Sequence, residues 1–202
     1  MRLLLVVPGT SRDAAAARRA MSDREPLATL GPLEVAFAGD RSLEVHSVLG
    51  GSGDMPGWRR FAAASSRSAA LPGQRAMLDE ERAYVRARGP DAPELLEHLH
   101  REGTRYDLVL FYGYAAASTA FGLPLVPERA ILVPLAEDTP ELRLTPYRAL
   151  FHAPRAIAYR SEEEHALVSR TFRNGDLESR VAADGEALAG FVAGLAGVAT
   201  LS

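Results

Sequence analysis

Four short apolar runs constrain this chain more than any other feature: residues 3–7, 108–112, 130–135 and the shorter 156–159. None alternates polar with apolar residues, which is the pattern of strands covered on both faces, as in a parallel sheet. Parallel neighbours need long crossovers, and helix signals occupy the intervals between the runs. Ser161-Glu162-Glu163-Glu164 is a capping box, followed by an apolar stripe at Ala166, Leu167 and Phe172. Asp91-Ala92-Pro93-Glu94 opens another helix, with an acid at the cap and proline in the first turn. Residues 58–88 read as helical, with an interruption at Pro72-Gly73. Strand–helix alternation on this scale specifies an α/β fold with an open, doubly wound, mainly parallel sheet.

Residues 33–38 and 43–48 depart from that rule, because both alternate and only Gly39-Asp40-Arg41-Ser42 lies between them. Four residues cannot make a parallel crossover, so this region is expected to form a hairpin at the sheet edge. The stretch from Gly50 to Gly57 is a flexible loop, either a plain connector or a lid over a site. Near the C-terminus, residues 187–196 are apolar on nearly every helical face. Such a helix is usually buried. Leu188, Phe191, Val192 and Leu195 are therefore expected to pack on the flank of the sheet or on another copy of the chain, a possible homo-oligomer contact.

Several function classes drop out on composition. The 202 residues fit one domain spanning 1–202. A net charge of −3 gives no electrostatic case for nucleic acid or an anionic membrane surface. All 23 basic residues are arginine, so no lysine-dependent phosphate loop exists. The absence of cysteine excludes disulfides and thiolate chemistry, and fits a reducing, cytoplasmic compartment. The N-terminal apolar run is five residues, shorter than the ~7–15 of a signal-peptide core, and ends in Pro8-Gly9. No run approaches the ~20 residues of a membrane span. His98 and His100 lie two apart on a helix and face different directions, and no metal is expected. Ser65, Ser66 and Ser118 lie in no nucleophile elbow.

An ordered series of motifs occupies the middle of the chain. It comprises the strand Asp107-Leu108-Val109-Leu110-Phe111, the connection Gly122-Leu123-Pro124-Leu125-Val126-Pro127, and the strand Ala130-Ile131-Leu132-Val133-Pro134. Pro154-Arg155-Ala156 and the Ser161-Glu162-Glu163-Glu164 helix start follow. In this order the series resembles the N-terminal, acceptor-side domain of the GT4-type retaining glycosyltransferases of the GT-B fold. The similarity covers about half the chain, residues 74–172. It implies a Rossmann-like domain that binds an acceptor (a glycan, a lipid-linked sugar or a small molecule). A donor domain, in cis or in trans, would then supply a nucleotide sugar, with no metal. Thirty residues follow Phe172, far short of a second domain of ~150 residues. The chain by itself is accordingly expected to be inactive.

Ligands of open α/β sheets sit outside the carboxyl ends of the strands. On this rule and the resemblance, Gly9, Thr10, Gly113 and Tyr114 are acceptor-binding candidates. Glu137 and Asp138 are the candidate catalytic pair, at the positions where the family carries a His-Asp pair. A carboxylate cannot act as a neutral imidazole does, but it can orient sugar hydroxyls; solvated loop acids are the other reading of both. Tyr112, Tyr114 and Phe121 serve either as stacking surfaces for a sugar or as core. Two alternatives to a transferase half remain: a non-catalytic GT-B-like scaffold that binds carbohydrate or a partner, and an unrelated flavodoxin-like domain.

Overall fold

The computed structural model describes residues 3–8, 27–30, 33–38, 41–48, 75–88 and 93–199. Eight strands among them form one sheet: β1 (Leu3–Pro8), β2 (Leu27–Leu30), β3 (Leu33–Ala38), β4 (Arg41–Val48), β5 (Leu108–Tyr112), β6 (Ala130–Val133), β7 (Ala156–Tyr159) and β8 (Glu178–Val181). Their order is β2-β3-β4-β1-β5-β6-β7-β8. Every pairing from β4 to β8 is parallel, and β2–β3 and β3–β4 are antiparallel. Besides four short 3-10 turns, the described residues form six α-helices: α1 (Arg75–Arg88), α2 (Pro93–Glu102), α3 (Ala117–Gly122), α4 (Thr145–Leu150), α5 (Glu162–Phe172) and α6 (Gly185–Ala199). This is an α/β fold with a mainly parallel, Rossmann-like sheet, as the apolar runs require.

The order of the parallel strands places β1 between the strand that precedes α1 and the one that follows α2. A doubly wound sheet changes direction at such a point, between β1 and β5. The hairpin forms with Ala38 opposite Arg41, so Arg41 and Ser42 belong to β4 and not to the turn. It is also not the outermost pair, since β2 adds a further antiparallel strand. The opposite edge is β8, whose Glu178, Ser179 and Arg180 are exposed. Charges on an edge strand discourage pairing with another chain.

Alternating strand side chains sort the core into two faces. Leu4, Val6, Val109, Phe111, Leu132, Ile157 and Tyr159 form one buried cluster with α1, α2, α4 and α5. Leu3, Leu5, Leu108, Leu110, Ile131 and Val133 form the other, which α6 covers with Leu188, Phe191, Val192 and Leu195. Those four helix positions recur at i, i+3, i+4 and i+7, one stripe facing the sheet. Asp184 caps α6 by accepting from the Ala187 amide at 2.8 Å, and Arg155 donates to the Leu195 carbonyl at 3.0 Å near the far end. Opposite the stripe, Ala187, Gly190, Ala193 and Gly194 are exposed, so the helix is not buried all round.

The other helices follow their patterns with one correction. The stripe of α5 runs through Glu164, Leu167, Val168 and Phe172, whereas Ala166 is exposed. Among the described residues no helix is long and apolar enough to cross a membrane. The loop at Gly50–Gly57, residues 58–74 and the Asp91-Ala92 cap lie outside the described residues, as do Gly9 and Thr10.

Candidate functional site

The site forms where β6 and β7 end. Residues of β6 are fully enclosed, and Pro134, which follows, cannot donate to a neighbouring strand. Its carbonyl instead accepts from the Tyr114 amide at 2.8 Å, and the Val133 carbonyl accepts from Gly113 at 2.8 Å. These bonds carry β5–β6 pairing past the strand ends and hold Gly113 at φ 80°, a conformation glycine adopts without strain. Leu135 turns the chain at φ 54°, which costs a non-glycine residue about 1 kcal/mol or more.

Glu164 holds that turn. Its carboxylate is buried and accepts from the Ala136 amide at 2.5 Å and from the Arg160 amide at 2.6 Å. One side chain therefore ties the end of β6 to the end of β7. The helix-start motif is used in an altered way. Ser161 Oγ accepts from the Glu164 amide at 3.2 Å, as an N-cap should, but the Glu164 carboxylate reaches one residue further back than a capping box requires.

Glu137 and Asp138 follow on the exposed side of the turn. Asp138 pairs with Arg143 at 2.7 Å, and Arg143 also donates to the Thr139 carbonyl at 3.0 Å. The pair is solvated, so its contribution is ~1 kcal/mol at most, but it fixes the loop's shape. Behind the loop, Tyr84 of α1 donates to the buried Glu141 at 2.9 Å, and Glu81 accepts from the first amide of α4 at 2.9 Å. The loop after β6 is thus braced from α1 as well as from α5.

Together these elements enclose a cleft of about 390 Å³ with Ala136 and Leu167 in its wall. Glu137, Asp138, Arg160, Ser161 and Glu163 line its polar part. The Ser161 hydroxyl, and secondarily the Glu163 amide, hold the Glu163 carboxyl below the usual carboxylate range. Several carboxylates, one guanidinium and one hydroxyl make a surface that accepts hydrogen bonds from a polyol and donates a few in return.

The structure brings Glu137 and Asp138 into this cleft, on the carboxyl side of the sheet. Gly113 and Tyr114 lie one strand away, joined to the β6 end through the backbone. The Tyr114 ring is buried, edge-on to Tyr147 at 4.8 Å and tilted against Phe151 at 5.6 Å. Tyr112 is likewise buried, and Phe121 lies under the Arg86 guanidinium at 5.1 Å. All three aromatic rings are used in packing. Arg160, Ser161 and Glu164 were not singled out for the site by sequence. Their signal was position: they flank the last residue of an apolar run, where the carboxyl-end rule applies.

The histidines take other roles. His98 bonds the Tyr106 hydroxyl at 2.7 Å, His152 donates to the Phe172 carbonyl at 3.0 Å, and His165 stacks on Tyr159 at 4.7 Å. Among the described residues no group of three His, Cys, Asp or Glu could hold a metal ion. Comparison with known protein families and with characterised proteins finds no match to this chain.

Proposed function

We propose that this chain is the acceptor-binding half of a retaining glycosyltransferase, completed by a donor domain in cis or in trans that holds the nucleotide sugar. The observation that carries the reading is the cleft at the carboxyl ends of β6 and β7, where Glu137, Asp138, Arg160 and Ser161 converge. Its chemistry suits sugar hydroxyls: carboxylates accept their hydrogen bonds, and the Arg160 guanidinium donates in return. The same excess of carboxylates disfavours a diphosphate, so the donor belongs on the other half. The ordered motif series from Asp107 to Glu164 supports the assignment independently of the cleft.

Glu137 favours a second reading. It stands where similar sequences carry an imidazole, and a carboxylate paired with Asp138 is a different acid–base group. A carbohydrate-binding scaffold without transfer activity needs only the hydroxyl contacts. Saturation-transfer NMR against a panel of methyl glycosides and disaccharides tests what both readings share. Contact with at least one glycoside, lost in Glu137→Ala and Asp138→Ala, is expected. A panel that gives no transfer, or transfer unchanged by both substitutions, contradicts saccharide binding at this cleft.

A further inference from the structure

A second polar cavity lies at the other end of α5, where the C-termini of α4 and α5 meet. It measures about 370 Å³ and is lined by Arg148, His152, Arg170, Thr171, Phe172 and Arg173. Small-molecule pockets typically fall at ~300–1,000 Å³. Both helices run back from the carboxyl ends of the strands, so this cavity is on the same face of the sheet as the Glu137 cleft but toward the other end of the strands.

Three features separate it from an ordinary solvated face. Among the described residues no carboxylate lines it, although the chain carries 26 acidic residues against 23 basic ones. None of the three guanidinium groups makes an ion pair or hydrogen bond with a described residue, whereas Arg101, Arg105 and Arg143 pair with acids and Arg129 and Arg155 bond carbonyls. Finally, Arg173 occupies the left-handed position that ends α5, at φ 56°. Glycine or asparagine is the usual residue there. An arginine in that conformation puts a third cation on the cavity, with no acid among its described lining residues.

Arginine in the last turn of a helix also offsets the helix dipole, which gives Arg148 and Arg170 a structural role of their own. That role needs one cation at each helix end. It does not account for a third on the same cavity, nor for the absence of acids. His152 has one ring nitrogen engaged, its Nε2 on the Phe172 carbonyl.

We propose that Arg148, Arg170 and Arg173 form a binding site for a phosphate group, carried by a soluble phosphorylated molecule or by a phospholipid headgroup. Guanidinium forks match phosphate oxygens two at a time, and three around one cavity suit a doubly charged oxyanion. The site is independent of the saccharide reading, since it shares no residue with the Glu137 cleft.

The test uses the full chain. Pyrophosphate is titrated by calorimetry at low salt, and flotation with vesicles of phosphatidylcholine and 30 mol% phosphatidic acid, an order-of-magnitude choice for an anionic surface, tests the headgroup. Saturable pyrophosphate binding, weakened about tenfold by Arg170→Gln and further by Arg170→Gln with Arg173→Gln, assigns a soluble ligand. Flotation that the same substitutions abolish, with weak pyrophosphate binding, assigns a headgroup. The positions are exposed, and an unchanged far-ultraviolet circular dichroism spectrum establishes that each variant is folded. No saturable binding by either probe, or binding indifferent to both substitutions, overturns the proposal and leaves the arginines as helix-end charges alone.

Discussion

Gly103 shows how tightly single positions are set. A Cβ at this site would stand 2.4 Å from Cγ1 of Val126, a stiff β-branched side chain that cannot swing aside. Gly103→Ala is therefore expected to lower stability by about 1–3 kcal/mol, the usual cost of overpacking. Chemical denaturation checks this, and a variant as stable as the parent would show that the turn after α2 is loosely packed. Tyr159 is a second such position. Burial raises its phenol above the usual tyrosine value against the opposing pull of Asn174 and Ser169, and the charge of Glu164 adds to the rise. A group with a raised folded value contributes stability that is fully present below the unfolded value near 10 and lost as pH climbs through the folded value. Tyr159→Phe removes that loss, so its alkaline unfolding limb should be shallower than the parent's above pH ~10. Identical limbs would mean that Tyr159 does not couple folding to pH. Neither residue could be read from sequence, because Gly103 depends on a neighbour twenty-three positions away and Tyr159 on groups from another element.

At the scale of elements, the apolar runs were legible because burial on both faces leaves a continuous signature. The run at 156–159 matches β7 residue for residue, and 108–112 matches β5. The edges were less legible. Glu178-Ser179-Arg180-Val181 of β8 is exposed, so no burial pattern marks it, and four residues of β2 are too few to show a period. In α5, the stripe read from sequence holds at Leu167 and Phe172, but it includes the exposed Ala166 and misses Val168, two residues or about half a turn away. α6 is a sharper case: its apolar content suggested burial all round, but small residues form the outer face. An added Cβ at Gly190 or Gly194 would meet nothing within 4 Å. Glycine in a helix interior costs ~0.5–1 kcal/mol relative to alanine. The double substitution Gly190→Ala, Gly194→Ala should therefore raise stability by about 1–2 kcal/mol without changing the oligomeric state. A loss of stability, or a change in sedimentation, would show that another copy of the chain packs closely on this face.

At the scale of the whole molecule, the described helices cover both faces of one sheet. Helices α1, α2, α4 and α5 pack on one face and α6 on the other. This arrangement leaves the carboxyl ends of the strands as a rim, and the candidate cleft stands on it. That the acids at 137 and 138 stand on this rim follows from the strand-end rule, and they line the cleft there. The buried carboxylate that shapes their loop was legible only as a helix cap, because its two amide partners come from different strand ends. Gly113 and Tyr114 reach the rim through the backbone, while the Tyr114 ring turns inward to Tyr147 and Phe151. Whether the cleft is an acceptor site is read most directly by amide NMR. Spectra of the labelled chain would be recorded with the best glycoside from the panel and, separately, with UDP-glucose. The account predicts that the glycoside shifts the amides of Ala136, Glu137, Asp138, Arg160 and Ser161, and that UDP-glucose leaves them in place. Micromolar binding of UDP-glucose at those amides, worth about −8 kcal/mol, would contradict it, as would glycoside shifts confined to other parts of the molecule.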